Sequence, residues 1–273
     1  MRSLQTAALL TLALSILASP AARAAGDDTV QRLTVPLTDP SRPATVKVST
    51  IHGGITVTAY GGRDVVVEAV GRGEPTDRKP PKGAEGMQRV PNHGLSADED
   101  NNVVRVETQP WRQGSDLRIQ VPVHSSLHLS CVNGCAIHVS GVEGELELSS
   151  VNGSIEALDV SGSVVAHTTN GGVKVVLNRV ETGKPMAFST LNGDVDVTFP
   201  AGLKANVMLR SDRGDIYSDF EIASGGHAAK EVERSGRRHL SVDQEIHGTI
   251  GGGGPEILFK TFNGDILIHR SHG

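Results

Sequence analysis

One stretch of the sequence decides the fold: residues 127–177 read LHLSCVNGCAIHVSGVEGELELSSVNGSIEALDVSGSVVAHTTNGGVKVVL. Within it a small residue, a glycine-containing turn and a short aliphatic run recur. From Gly134 to Gly214 the turn glycines are 19, 18, 22 and 21 residues apart, and the complete series is Gly53, Gly134, Gly153, Gly171, Gly193, Gly214 and Gly264. A repeat of about 20 residues predicts a stacked β architecture, in which each unit packs on its neighbours.

The residues around each turn glycine narrow the choice of fold. Asn and Gly tolerate positive φ, so each pair either joins antiparallel strands of a meander or sandwich, or forms a corner of a parallel β-solenoid. The pattern [Ser/Thr]-x-Asn-Gly-x-[Ile/Val] keeps its flanks at 150–155, 190–195 and 261–266. Stacked coils favour like residues in register and allow amide ladders. The sequence therefore favours an all-β parallel solenoid, with corners at Asn133, Asn152, Asn170, Asn192 and Asn263 and the glycines that follow them.

The N-terminus predicts export. Residues 1–24 have the form of a secretory signal peptide, because the apolar core at 7–18 is too short to span a bilayer and an A-x-A cleavage site follows at 22–24. An uncleaved membrane anchor is the alternative. Cleavage after Ala24 would release a single β-repeat domain, residues 25–273, with no transmembrane span. We expect this domain in the periplasm or cell envelope.

Charge and composition limit the possible partners. The chain has 26 Lys and Arg against 31 Asp and Glu, a net charge of −5. The leader contains two Arg and no acid, so the mature chain carries −7. This acidic balance argues against nucleic acid as a partner. Aromatic residues make up only 3 %, so Val, Leu, Ile and Ala must form the core, which suits the narrow interior of a solenoid.

Two polar stretches interrupt the repeat. Residues 71–102 contain almost no large apolar side chain and are rich in Pro, Gly and charge, which predicts a long mobile insertion. A grafted binding loop is the functional alternative. Residues 223–238 form the second interruption, and 228–233 within it could form one or two helical turns.

The repeat and its flanks resemble a known family. The signal peptide, the strand DLRIQVP at 116–122, the VNG repeats and the ending GTIGGGGPEILFKTFNGDILI at 248–268 are similar to the bacterial putative-adhesin family of exported β-strand-repeat proteins. This family is a domain of unknown function, and the resemblance extends over roughly residues 30–270. It implies a β-helix-like fold in the cell envelope and supplies no catalytic residue. The insertion at 71–102 and the CVNGC unit depart from the family pattern.

Cys131 and Cys135 flank one predicted corner. In an exported chain two cysteines across a tight turn favour a disulfide, with unpaired thiols or a metal site as alternatives. The metal hypothesis rests on the zinc-like spacing of the two cysteines with His128 and His138. Strand parity opposes it, because each His should lie on the face opposite its neighbouring core residues.

Three aspartates follow turn glycines: Asp194, Asp215 and Asp265. Stacking at about 5 Å could let such carboxylates hold calcium, but solvated corner residues are the interpretation we favour. Arg213, Gly214 and Asp215 spell a cell-adhesion tripeptide. It occupies the Asn-Gly-Asp position of other repeats, so we interpret it as a repeat variant.

The sequence predicts a binding module more than an enzyme. No Ser, His and Asp spacing indicates a catalytic triad, and we assign no catalytic, cofactor-binding or metal-binding residue. The main hypothesis is an exported, non-enzymatic structural or adhesin-like module that binds an unknown protein or glycan of the envelope or cell surface. The alternatives are a polysaccharide-acting β-helix enzyme and an accessory protein of an envelope-stress system. An exposed cluster of Asp with Arg or Lys would favour the enzyme, and a smooth face of Thr, Ser and Val would favour binding.

Overall fold

All regular elements in the described part of the chain are β-strands. The computed structural model describes residues 30–71, 94–108, 115–224, 229–234, 237–242 and 245–271. The predicted signal peptide, residues 1–24, lies outside these ranges. Within them the chain is all-β, as predicted, and 20 strands form one mixed sheet in which most of the pairings between neighbours are parallel.

The first half of the chain contributes eleven strands. Their bounds are β1 Val30–Val35, β2 Ala44–His52, β3 Ile55–Tyr60, β4 Val65–Gly71, β5 Leu95–Asp100, β6 Val103–Thr108, β7 Ser115–Pro122, β8 Ser125–Asn133, β9 Ile137–Ser140, β10 Glu143–Asn152 and β11 Ile155–Asn170.

The second half contributes eleven more, and its last two strands carry the closing Asn-Gly corner. Their bounds are β12 Val173–Val180, β13 Met186–Asn192, β14 Val195–Phe199, β15 Ala205–Arg213, β16 Ile216–Ser218, β17 Ala223–Ser224, β18 Ala229–Arg234, β19 Arg237–Val242, β20 Ile246–Ile250, β21 Glu256–Asn263 and β22 Ile266–Arg270.

Two parallel runs of strands organise the sheet. In the first run the order is β2-β8-β10-β11-β13-β21-β15, and in the second run it is β3-β9-β11-β12-β14-β22-β16. The 16-residue strand β11 belongs to both runs, its start to the second and its end to the first. A strand of the first run, a corner and a strand of the second run make one unit, which we call a coil.

The order of coils in space differs from their order in the chain. The C-terminal coil, β21 and β22, lies between the coil of β13 and β14 and the coil of β15 and β16. The coil at 205–218 therefore does not pair with its predecessor in the chain, and the last coil of the sequence lies between the two.

Antiparallel strands lie at both ends of the parallel runs. At the first end β5 pairs with β6, and β4 pairs with both β1 and β7. At the other end β20 pairs with β15 and β17. The hairpin of β18 and β19 is a separate two-stranded sheet.

The core follows the alternation of side chains along the strands. Inward positions are aliphatic in the early coils, as in β8, where Leu127, Leu129 and Cys131 are buried. In the later coils three phenylalanines fill the interior, and the rings of Phe188 and Phe259 stack with centroids 5.4 Å apart. Burial of such side chains contributes about 1.5–3 kcal/mol each.

The polar interruptions contain more regular structure than the sequence predicts. Of the insertion expected at 71–102, residues 72–93 lie outside the described ranges, but Leu95–Asp100 forms β5. Leu95 and Ala97 pack against the core, while the residues that alternate with them along β5 face outward. This period-2 pattern is hard to recognise in the sequence because most of the side chains are small or charged. In the second interruption residues 229–234 form a strand and not a helical turn, because they pair with 237–242.

Candidate functional site

The Asn-Gly corners form a continuous ladder along one edge of the stack. Each Asn side-chain amide donates to the side-chain carbonyl of the Asn on the coil before it, at 2.7–2.8 Å for three contacts and 3.4 Å for the first. The sequence of the ladder is Asn133, Asn152, Asn170, Asn192 and Asn263. His52 lies in register with Asn133 at one end, and Arg213 with Asn263 at the other.

The corner glycines are required because neighbouring backbones approach closely. A Cβ at Gly193 would lie 2.3 Å from the carbonyl oxygen of Gly171, and one at Gly264 would lie 2.0 Å from that of Gly193. Both glycines also have φ of 148°, in the region that favours glycine. Any side chain at these corners would push two coils apart.

Gly153 needs to be glycine for a different reason from the one the turn chemistry predicts. Its φ is not positive, unlike the φ of 63° at Gly134. A Cβ at Gly153 would lie 1.8 Å from the backbone oxygen of Cys135, so space and not torsion excludes a side chain. Gly214 is similar, since its φ is not positive and a Cβ there would meet the Gly264 oxygen at 2.0 Å.

The Ser or Thr of the motif has a structural role inside the corner. The hydroxyls of Thr168, Thr190 and Thr261 each donate to the carbonyl of the corner glycine on the preceding coil, at 2.8–3.0 Å. These three side chains are buried. The hydroxyl thus satisfies a partly buried carbonyl of the neighbouring coil, which explains why the motif has Ser or Thr at this position.

The predicted disulfide is present. Cys131 and Cys135 are bonded across the first corner of the ladder, with Cα atoms 6.2 Å apart and both residues buried. His128 and His138 do not join them. Each of them instead contacts a Glu carboxylate of the next coil through its Nδ1 atom. The distance is 2.6 Å from His128 to Glu147 and 3.1 Å from His138 to Glu156. Within the described ranges no group of three or more His, Cys, Asp or Glu could hold a metal ion.

An exposed apolar row runs beside the Asn ladder. It consists of the x residues of the motif, which we call the corner row: Ile51, Val132, Val151, Leu191 and Phe262. Their exposed fractions are 36–45 %, although such side chains are usually buried. Thr169 lies between Val151 and Leu191. At the roughly 4.8 Å spacing of neighbouring strands the row is about 24 Å long.

A row of hydroxyl groups lies next to the corner row on the outer face of the first run. Ser49, Ser130 and Ser149 are in register on β2, β8 and β10, and Ser189 continues the row on β13 beside His167. His167 and Ser189 contact each other at 2.9 Å. This part of the face therefore combines aliphatic and hydroxyl side chains.

A shallow groove of about 490 Å³ opens at the N-terminal end of this face. Its lining combines the serines with charged side chains of both signs: Lys47 and Arg105 on adjacent strands, and Glu107 and Glu147. Because both signs are present, the rim presents mixed charge.

The three corner aspartates are stacked in an order that the sequence does not reveal. Asp265 lies between Asp194 and Asp215, since its coil is inserted between theirs. Asp194 Oδ1 accepts from the Asp265 backbone N–H at 2.8 Å, and Asp265 Oδ1 accepts from the Asp215 N–H at 2.9 Å. These carboxylates hold neighbouring coils together. The negative charge of Asp215 raises the pKa of the Tyr217 hydroxyl beside it.

The tripeptide at 213–215 is a variant of the same corner. The Arg213 guanidinium lies 5.1 Å from the centroid of the Phe262 ring, over the last member of the corner row. Arg213, Gly214 and Asp215 therefore occupy the Asn-Gly-Asp positions of the neighbouring coil, as the repeat predicts.

Comparison with protein families identifies this arrangement. Residues 133–268, which contain the Asn ladder, match the model of the family described as Toastrack DUF4097. Residues 133–268 are a Toastrack DUF4097 domain. The Toastrack match begins at the first corner of the ladder and ends within β22, so it includes both parallel runs from β9 onward.

Solved structures give distant matches to this Toastrack protein. A "putative cell adhesion protein" from Clostridium sporogenes is 10 % identical with a TM-score of 0.46, and the match covers 89 % of this chain and 100 % of that chain. A "putative adhesin" from Bacteroides fragilis is 12 % identical with a TM-score of 0.40, covering 89 % and 97 %. No curated protein matches the chain. In the parts that the structure describes, no helix is long and apolar enough to cross a lipid bilayer.

Sequence reasoning found the ladder but missed the corner row. The signal was present, since the x position of the motif is apolar at five of seven corners, with Thr169 and Asp212 as the exceptions. This signal is weak in the sequence alone, because single exposed Val or Leu side chains are common on protein surfaces. Only the stacking shows that these residues form one continuous row.

Proposed function

We propose that this Toastrack protein is an exported, non-enzymatic, adhesin-like binding module of the cell envelope, built as a parallel β-solenoid. The parallel register of the coils and the Asn ladder support the solenoid. The corner row carries the proposal for binding, because five large apolar side chains remain exposed in one line where each coil could have presented a polar residue.

The chemistry of the corner row favours a protein ligand over a glycan. Four of its members are aliphatic, and the ring of Phe262 is partly covered by Arg213. Sugar rings prefer open aromatic faces, whereas aliphatic rows suit the apolar side chains of a protein surface. The adjacent serines Ser130 and Ser149 can supply hydrogen bonds at the rim of such an interface.

The same face supports binding more than catalysis. Two of the corner aspartates, Asp194 and Asp265, accept backbone hydrogen bonds between coils and so have a structural task. Glu147 contacts His128. The face has the hydroxyl and aliphatic character expected of a binding surface, although the charged groove rim lies at one end.

Retention on envelopes tests the binding proposal. We expect the purified chain 25–273 to be retained on isolated envelopes of the source cells, and the double variant Val151→Ser/Leu191→Ser to lose most of this retention. Val30→Ser is the matched control, since Val30 is equally exposed but lies on β1, outside the corner row. Protease treatment of the envelopes should abolish retention, and glycan oxidation should not. Equal retention of all three proteins would overturn the proposal.

Export is tested separately. Secreted material should begin at Ala25, because the predicted cleavage follows the A-x-A site. N-terminal sequencing of the exported protein checks this, and a sequence that begins at Met1 would contradict it.

A further inference from the structure

Each Asn-Gly corner contains the groups of a spontaneous backbone reaction. The backbone nitrogen of glycine can bond to the side-chain amide carbon of the preceding Asn, because glycine has no Cβ to hinder the approach. The carbon–nitrogen bond of the amide breaks, and the amide nitrogen leaves as ammonia with the proton of the glycine N–H. Water then opens the cyclic imide at either carbonyl, which leaves aspartate or isoaspartate. The dipeptide occurs in the chain at 133–134, 152–153, 170–171, 192–193 and 263–264.

The internal corners restrain both reacting groups, as the corner at Asn192 shows. The Asn192 side chain donates to Asn170 Oδ1 at 2.8 Å and accepts from Asn263 Nδ2 at 2.7 Å. The Gly193 N–H donates to the backbone oxygen of Asn263 at 2.8 Å. The side-chain amide must rotate and the N–H must lose its proton for the reaction to proceed, so these bonds must break first. Two further internal glycines donate to the next coil in the same way at 2.9 Å: Gly153 and Gly171.

The corner at Asn263 restrains the reacting groups less. The Asn263 side chain donates to Asn192 Oδ1, but its own Oδ1 accepts no hydrogen bond from a described residue. In the next coil Arg213 takes the register position of an Asn, and its guanidinium lies 5.1 Å from the centroid of the Phe262 ring. Within the part of the chain that the structure describes, the Gly264 N–H makes no backbone hydrogen bond of the kind found at the internal corners. Both groups are therefore freer to react here.

We propose that Asn263 is the site at which the folded protein deamidates. Asn192 is the matched internal comparison, because both corners have the local sequence Thr-x-Asn-Gly-Asp with a large apolar residue at x. The two sites therefore have the same intrinsic reactivity, and any difference between them in the folded chain arises from the contacts of the ladder. The proposal does not depend on what the corner row binds.

The corner at the other end of the ladder is restrained in another way. Cys131 and Cys135 are bonded across Asn133 and Gly134, and Gly134 makes a further contact of its own. The disulfide limits the backbone movement that would bring the glycine nitrogen to the side-chain amide. Asn133 should consequently react more slowly than Asn263 in the oxidised protein.

Deamidation at Asn263 would weaken the contact between two coils. A carboxylate cannot donate, so the hydrogen bond to Asn192 Oδ1 is lost and two acceptor oxygens face each other. Isoaspartate also lengthens the main chain at a corner with little space, since a Cβ at Gly264 would already lie 2.0 Å from the Gly193 oxygen. The modification therefore loosens the coil of β21 and β22 from the coil of β13 and β14.

Peptide mapping measures the reaction at each corner separately. The chain 25–273 is incubated folded in a mildly alkaline, ammonia-free buffer, sampled over time and digested with trypsin, and a zero-time sample corrects for conversion during digestion. Trypsin places Asn263 in the peptide 261–270, Asn192 in 180–204 and the other three corners in 119–174, where fragmentation separates them. Asn263 should convert at least about tenfold faster than Asn192, as expected when two ordinary hydrogen bonds are missing. In concentrated urea the two should convert at nearly equal rates.

The variant Asn263→Asp tests the loosening directly. Amide hydrogen exchange in 257–263 should be about fivefold faster than in the unmodified chain, the factor that corresponds to one hydrogen bond. Asn133→Asp is the matched control, because Asn133 accepts from Asn152 in the ladder and a carboxylate can still accept. This variant should leave exchange in 257–263 unchanged.

The proposal would be overturned by any of four results in the mapping experiment. These are no conversion at Asn263, equal conversion of Asn263 and Asn192 in the folded chain, faster conversion of Asn133 than of Asn263, or a difference between Asn263 and Asn192 that persists in urea. Unchanged exchange in Asn263→Asp would reject the loosening of the last coil.

Discussion

At the scale of single residues, the repeat motif is a set of three contacts between neighbouring coils. The Ser or Thr hydroxyl satisfies a partly buried carbonyl, the Asn amide continues the ladder, and the glycine permits close approach of two backbones. Each residue type is required by a contact with the coil before it. The motif therefore reflects the contacts between neighbouring coils more than the geometry of the turn itself.

The ladder predicts a graded cost for removing an Asn. Asn192 donates to Asn170 at 2.8 Å and accepts from Asn263 at 2.7 Å, so Asn192→Ala should lower the free energy of unfolding by about 0.5–1.5 kcal/mol. His52→Ala, at the end of the ladder, is the control and should change it less. Urea denaturation of both variants measures the difference, and equal midpoints would contradict a role for the ladder in stability.

The disulfide should contribute little to global stability. It closes a loop of only five residues, for which the loop-entropy relation gives about 2 kcal/mol at most. The next coil carries Ser150 and Ser154 at the same two positions, so Cys131→Ser/Cys135→Ser should retain the fold and lose no more than that amount. Thermal unfolding with and without reductant checks this. A variant that fails to fold would show that the bridge is essential.

At the scale of the elements, the parallel register makes each strand depend on its two neighbours. Gly153→Val would place side-chain atoms against the Cys135 carbonyl, and such overpacking costs about 1–3 kcal/mol. In a solenoid the damage should extend to the adjacent coils. Hydrogen exchange should show lost protection in both 127–139 and 164–177.

The control for this experiment is Gly202→Ala, because a Cβ at Gly202 would meet no atom within 4 Å. It should leave exchange unchanged throughout. Loss of protection confined to 145–160 in Gly153→Val would indicate a local hairpin and contradict the solenoid.

The two parts of the polar insertion should differ in how well the protein tolerates their removal. Replacing residues 72–93 by a flexible linker of about ten residues should preserve a cooperative melt, because the hairpin of β5 and β6 stays intact. Deleting all of 71–102 should destabilise the protein, since it removes β5, whose Leu95 and Ala97 pack on the core. Calorimetry distinguishes the two, and similar melting temperatures would show that β5 is dispensable.

At the scale of the whole molecule, the sequence predicts the all-β class, the corners and the disulfide, because each depends on contacts that repeat in phase. It does not predict the order of the coils. Asp194, Asp215 and Asp265 have equivalent flanks, so nothing in their local sequence specifies that Asp265 lies between the other two. The local sequence does not reveal strand β5 either, because Leu95 and Ala97 are its only apolar residues and the rest of LSADED is polar or charged.

The inserted coil predicts the result of a C-terminal truncation. Removing residues 256–273 should disorder the coil at 205–218 as well, because β15 and β16 both pair with the removed strands. The coils from β8 to β14 should remain folded. Limited proteolysis of the truncated chain checks this through new cleavage sites at 205–218, and full protection there would contradict the observed coil order.

Because the last coil, β21 and β22, lies between two earlier ones, the coils do not pack in the order in which they occur in the chain. Strand β15 begins at Ala205 and its partner β21 begins at Glu256, so the coil at 205–218 emerges well before the strands that hold it. During that interval the growing chain exposes an unpaired strand edge on β14, a state prone to aggregation. Folding of this region can therefore be completed only after the last strands, β21 and β22, have emerged.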